Sequence, residues 1–309
     1  MANAANLALL EPVRMLLAGY PGAGKTGSLA ALANMGYKIR YIDFDGNYSP
    51  LLKFTKPEFL KNIDIQTFED KLRAGGQFIE TVGLPKAFAE AVKSMDQWKY
   101  TEADGTVVDL GASKDWGCDT IVVLDTLGGM GTASFRRVRS LLNKTPLNTT
   151  QQVWGMAMAE QEAFIEKLTA SNNKFHVIVL SHLKIVAPRE ANKDASDALK
   201  EQTEKVMEII PARLFPNALG QGLPQTIGGH FPTLVLIEPE YKPGGKVRRV
   251  IRTQPRPELD LKLPAILENS TLDISTGLAD IFRALAPPLS GCTNTTPAIT
   301  GTEGVNTNG

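Results

Sequence analysis

The chain has 309 residues, 43% of them hydrophobic and 21% charged, which is ordinary for a globular protein and ample for a sizeable core. Lysine plus arginine number 33 and aspartate plus glutamate 33, so the formal net charge is zero. That excludes a uniformly basic nucleic-acid coat but leaves room for a local basic patch. Cys118 and Cys292 are the two cysteines, too few for a disulfide framework or a Cys-rich zinc site, which fits a cytoplasmic location. No apolar run reaches the roughly 18 residues of a membrane span, and residues 1–10 lack the charged start of a signal peptide.

In chain order, residues 13–18 form a short apolar run ending in a Gly-rich loop, the pattern of a buried strand. Residues 26–35 read as a helix stopped at Gly36, and residues 38–43 as a second strand. Strand, helix and strand with short links predict a parallel βαβ unit. Residues from about 48 to 117 read as an insertion, with a helix at 87–98 and a hairpin turning at Asp104-Gly105. The β-branched run 120–125 is the clearest strand. Helices follow near 133–143 and 150–171, the second expected to present Trp154, Met158, Ile165 and Leu168 on one face.

Residues 175–181 read as a fourth core strand, and 184–210 as a densely charged stretch running into a helix. Residues 231–238 and 246–253 read as strands joined at Pro243-Gly244-Gly245. The Pro-, Thr-, Asn- and Gly-rich segment 286–309 has the composition of a disordered tail. The expected fold class is α/β. One domain spans residues 1–285, with a largely parallel central sheet flanked by helices.

The strongest motif is Gly19-Tyr20-Pro21-Gly22-Ala23-Gly24-Lys25-Thr26, a full match to the phosphate-binding P-loop, with Gly27 following. Glycines let backbone N–H groups converge on phosphate without a Cβ in the way. Lys25 is positioned for the terminal phosphates of ATP, and the Thr26 hydroxyl for Mg²⁺. Asp125 closes the run 121–125, where a carboxylate can complete the magnesium shell; the plainer reading is a strand-end cap. Asp43 and Asp45 end the second strand and alternate onto one side. A carboxylate there could activate water, or both could simply shape the turn at Gly46.

The order of P-loop, YIDFDG, IVVLDT and VIVLSH resembles the core of RecA-like recombinases and ring-helicase ATPases. More narrowly it is similar to phage P-loop ATPases related to single-strand annealing proteins, over roughly residues 13–265. The resemblance implies that Asp45 is the catalytic acid, in a position where the family carries Glu. The side chain here is one methylene shorter, and fast hydrolysis does not follow from the match. It also implies that His182 senses the γ-phosphate and that 184–210 occupies the place of a mobile DNA-contacting loop.

Lys242, Lys246, Arg248, Arg249, Arg252 and Arg256 fall in a stretch without Asp or Glu. By the resemblance, Lys246-Val247-Arg248 has the form of a pair that reaches a neighbouring subunit's γ-phosphate, so Lys246 and Arg248 join the candidate catalytic set. A DNA-backbone contact and a charged, solvated edge strand are the other readings. The resemblance thus implies an Mg²⁺-dependent ATPase acting with single-stranded DNA. It would form a homo-oligomeric ring or filament, with a phage single-strand-binding protein as a further candidate partner. Alternatives are a P-loop kinase of a small substrate, a weakly hydrolysing switch or assembly protein, and a helicase loader or motor of the wider AAA class. Asp125 being followed by Thr126 rather than a second acid disfavours the last.

Overall fold

The computed structural model describes residues 11–75, 78–186, 213–264, 267 and 271–291. The first strand, β1 (Arg14–Gly19), leads through the P-loop into α1 (Lys25–Ser28) and α2 (Ala30–Ala33). These two segments occupy most of the expected single helix. Leu29 between them keeps helical dihedrals, but Leu32 N bonds Leu29 O at 3.0 Å, an i to i−3 contact that tightens the ladder there. Gly36, at φ 98, ends the segment as expected.

Next come β2 (Lys38–Asp43), α3 (Ser49–Phe54), β3 (Ile63–Thr67) and the hairpin β4 (Leu72–Gly75) and β5 (Phe78–Thr81). Then follow α4 (Ala87–Ser94), the hairpin β6 (Lys99–Thr101) and β7 (Val107–Asp109), and β8 (Thr120–Asp125). The long helices α5 (Leu127–Leu141) and α6 (Gln151–Thr169) precede β9 (His176–Ser181). A ribbon of β10 (Leu183–Val186) and β11 (Arg213–Pro216) flanks residues 187–212. The last strands are β12 (Thr233–Tyr241), β13 (Val247–Arg252) and β14 (Thr271–Asp273), before a helix at Gly277–Leu285.

Among the described residues, eight strands form one sheet in the order β14-β13-β12-β1-β9-β8-β2-β3. Neighbours from β12 to β3 are parallel; β13 and β14 add antiparallel at one end. The predicted α/β class with a largely parallel, helix-flanked sheet is borne out. The central strands are buried on both faces, which is why they read as near-continuous apolar runs. Alternation divides them between two cores. Leu16, Val122, Leu124, Val177 and Val179 pack with α4, α5 and α6. Met15, Leu17, Ile121, Val123, Ile178 and Leu180 pack with α2 and the helix Gly277–Leu285.

Several local expectations need correction. The stretch 48–117 is not all inserted between core strands: β3 extends the main sheet, parallel to β2. Its IDIQT sequence is short and only half-buried, so it carries weak periodicity. Helix α5 starts at Leu127 rather than near 133, because Thr126 caps it by accepting from Gly129 N at 3.1 Å. The glycines at 128, 129 and 131 disguise that first turn. The inner face of α6 is Val153, Ala157, Gln161, Phe164, Ile165 and Leu168. Trp154 leaves it, 37% exposed, and packs at a tilt against Phe135 with ring centroids 4.3 Å apart.

At the other end, Ala286 is buried and residues Leu289–Gly291 form a 3-10 turn. The remainder of the expected tail, 292–309, and most of the charged stretch, 187–210, lie outside the described residues.

His176 opens β9 fully buried. Its Nδ1 accepts Val13 N–H at 2.8 Å, so its Nε2–H is left to donate to Cys118 O at 2.8 Å. The ring thus bridges the loop before β8 and the residue before β1. Burial pushes its pKa down to about 4.

Candidate nucleotide-binding site

The carboxyl ends of β1, β9, β8 and β2 lie side by side and carry the P-loop, His182, Asp125 and Asp45. The register fixes this: Ala18 pairs Ser181, Leu180 pairs Asp125, and Asp125 pairs Asp43. Ligands collect at this edge of a parallel sheet.

The loop fits a polyphosphate. Gly24 has φ 104, and a Cβ there would lie 2.6 Å from Ile274 Cδ1. At Gly19 a Cβ would lie 2.6 Å from the Ile237 carbonyl oxygen. Only glycine suits either position. Ala23 N bonds Tyr20 O at 3.1 Å, closing the turn through Pro21 and Gly22, and Gly27 passes under the Phe54 ring. Lys25 is 6% exposed and donates to Gly19 O at 2.9 Å and Tyr20 O at 3.1 Å. Burial lowers its pKa to about 8, against the pull of Asp125 and Asp45, so it remains cationic at neutral pH.

His182 Nδ1 lies 3.1 Å from Lys25 Nζ. Burial and the Lys25 charge lower the His182 pKa, so a neutral ring accepts from the ammonium. Asp125, 3% exposed, accepts from Thr26 Oγ1 at 3.1 Å and from the Tyr41 hydroxyl. Burial raises its pKa to about 6, with the Tyr41 bond opposing. Thr26 and Asp125 are thereby brought together as the sequence predicts. Among the described residues no group of three or more His, Cys, Asp or Glu is placed to hold a metal alone. One hydroxyl and one carboxylate suit a magnesium ion whose remaining ligands are phosphate and water.

Asp43 and Asp45 part company. Asp43 is fully buried and binds Asp45 N at 3.0 Å, Gly46 N at 2.8 Å and Thr67 Oγ1 at 2.9 Å, so it shapes the turn. Asp45 is exposed and accepts from Thr126 Oγ1 at 3.1 Å. The turn thus claims one carboxylate and leaves the other exposed at the strand end.

The basic strand is acid-free in sequence but not in space. Arg248 donates to Glu240 at 2.5 Å, Arg252 to Glu238 at 2.9 Å and Glu240 at 3.0 Å, and Arg256 to Glu238 at 2.9 Å. The acids come from the antiparallel partner β12. Lys246 stands exposed beside the hairpin turn, away from the chain's own Asp125 and Asp45 across the sheet.

An AAA-domain family model, AAA_24, matches residues 11–262. The chain belongs to this AAA domain family. The P-loop, Asp45, Asp125, His182 and the Lys246–Arg248 segment all fall within the match. Among solved structures, the crystal structure of the RadB recombinase is similar, at 16% identity and a TM-score of 0.42, covering 85% of this chain and 92% of that one. So distant a likeness carries no functional weight. No curated protein matches the sequence. Among the described residues no helix is long and apolar enough to cross a membrane.

Three contributors escaped the sequence reading: Tyr41, Thr126 and the Glu238–Glu240 pair. Tyr41 lies two residues before Asp43 and faces the α2 core. Thr126 had a readable signal, a capping residue just before a helix. The glutamates needed the hairpin register.

Proposed function

We propose that this protein is a magnesium-dependent ATPase of the RecA-like class that couples its nucleotide state to single-stranded DNA binding, annealing or recombination. The observation that carries the ATPase reading is the convergence of Lys25, Thr26, Asp125, Asp45 and His182 at adjacent strand ends. Lys25 and the loop amides would hold the phosphates, and Thr26 and Asp125 a magnesium ion. A bound magnesium ion would neutralise phosphate charge during transfer.

Asp45, anchored through one oxygen by Thr126, would orient water and take its proton. His182 contacts Lys25 directly, so a change at the phosphates reaches the start of the β10–β11 ribbon through one side chain. Lys246 and Arg248 would serve a neighbouring copy in a homo-oligomer. The DNA element rests on the order of the motifs, since Arg248 and Arg252 of β13 are paired with Glu238 and Glu240.

The test is the ATP hydrolysis rate with and without single-stranded DNA, read alongside native mass. Stimulation in an oligomer supports the proposal. Hydrolysis by Lys25→Ala at the wild-type rate would remove its foundation.

A further inference from the structure

Strand β13 places its arginines on two faces. Arg248 and Arg252 face the glutamates of β12. Arg249 alternates to the opposite face, that of Ile251, which packs in the core beside α2. There it has no hydrogen bond or ion pair among the described residues, unlike its neighbours. A Cβ at Gly24 would lie 3.3 Å from Arg249 Cδ and 3.9 Å from Arg249 Nε. The unpaired arginine therefore crosses directly beside the residue that precedes Lys25.

Arg249 also borders a cleft of about 650 Å³. One wall is Tyr20, Pro21 and Ala23 of the P-loop; the other is Val247, Arg249 and Ile274. Asp125 and Asp45 approach the loop from β8 and β2, whereas this cleft lies on the β12–β13 side, with β1 between them. A chain of phosphates laid along the loop would have its terminal end at the carboxylates and its nucleoside end here.

We propose that Arg249 completes the phosphate cradle in cis, from the nucleoside side of the loop, and that the cleft it borders receives the nucleoside of the bound nucleotide. The proposal rests on the P-loop reading above. A guanidinium without a carboxylate partner, beside loop amides, is suited to phosphate oxygens. The Tyr20, Pro21, Val247 and Ile274 surfaces are suited to a flat base and sugar.

The test is calorimetric binding of ATP and of inorganic tripolyphosphate, without magnesium, to the full-length protein and to Lys25→Ala, Arg249→Ala, Arg249→Lys and Arg256→Ala. Thermal unfolding of each variant checks its fold. Arg249→Ala should weaken both ligands by about tenfold or more, the loss expected for one charged hydrogen-bond partner. Arg249→Lys should recover part of it, and Arg256→Ala, paired with Glu238, should bind as wild type. Wild-type affinity in Arg249→Ala overturns the proposal. So does a loss confined to ATP, which would make Arg249 a nucleoside contact only. If wild type and Lys25→Ala bind equally poorly, the nucleotide reading itself fails and this one with it.

Discussion

The Thr126 hydroxyl donates to Asp45 at 3.1 Å and accepts from Gly129 N at 3.1 Å, so one side chain both caps α5 and anchors the candidate catalytic carboxylate. The contact joins positions 81 residues apart. Gly129 is part of the same fit, because a Cβ there would lie 2.5 Å from Asp45 Oδ1. Thr126→Val should cost about 1 kcal/mol of stability through the lost cap. It should also lower kcat for ATP by roughly tenfold or more, with KM little changed, since Asp45 loses its anchor. Thr126→Ser keeps both bonds and should restore the rate. Steady-state kinetics on the three proteins decide the matter, and full turnover in Thr126→Val would show that Asp45 needs no anchor.

Tyr41 gives Asp125 a buried donor. Tyr41→Phe should destabilise the fold by about 1–3 kcal/mol, the cost of leaving a buried polar group short of a partner. The Tyr41 bond lowers the Asp125 pKa, which burial holds at about 6, so its removal should raise that pKa further. More Asp125 would then be neutral near neutral pH, and the magnesium concentration for half-maximal hydrolysis should rise. Raising the pH by about one to two units should reverse the effect, because the carboxyl ionises again. A magnesium titration at the two pH values checks this; an unchanged requirement contradicts it.

His176 predicts an acid limb in stability. Its pKa is lowered from 6.5 to about 4 by burial, so between these values the unfolded chain binds the proton and the folded chain does not. Stability should be complete above about pH 6.5 and fall as the pH drops toward 4, by on the order of 3 kcal/mol from this residue. His176→Phe should lose stability at neutral pH, because Val13 N–H loses its acceptor, and should show a shallower acid limb. Denaturant unfolding across pH measures both, and an unaltered limb in the variant would exclude His176 as its source.

Lys246 and Arg248 can be tested by mixing subunits. Each single variant, Lys25→Ala or Arg248→Ala, should be inactive, yet mixed oligomers should recover part of the ATPase rate by pairing an intact P-loop with an intact neighbour. Arg248→Ala should change stability by less than about 1 kcal/mol, because its pair with Glu240 lies at the surface, with both side chains partly exposed. Absence of any recovery on mixing, in a preparation that is oligomeric by native mass, would count against action between subunits.

The P-loop was legible because its chemistry is contiguous, with glycines, lysine and threonine acting within one turn. The core strands were legible because burial on both faces demands uninterrupted apolar runs. Asp125 could be placed at a strand end from its position after Thr120–Leu124, and its contact with Thr26 then followed from the parallel register. β3 was missed because a short, half-buried edge strand needs little apolar pattern.

What sequence alone determined is therefore the P-loop motif, the α/β class and which carboxylates end which strands, since each depends on neighbours in the chain. Tertiary structure decided how those groups divide their work. It buried Asp43 in a turn while leaving Asp45 exposed, and joined Asp45 to Thr126 across the strand ends. It set the apparently acid-free basic strand against Glu238 and Glu240. Antiparallel pairing brings these opposite charges face to face and offsets part of the strand's positive charge. The same pleat turned Arg249 away from that balance and toward the P-loop, a difference of one residue that only the sheet's register could assign.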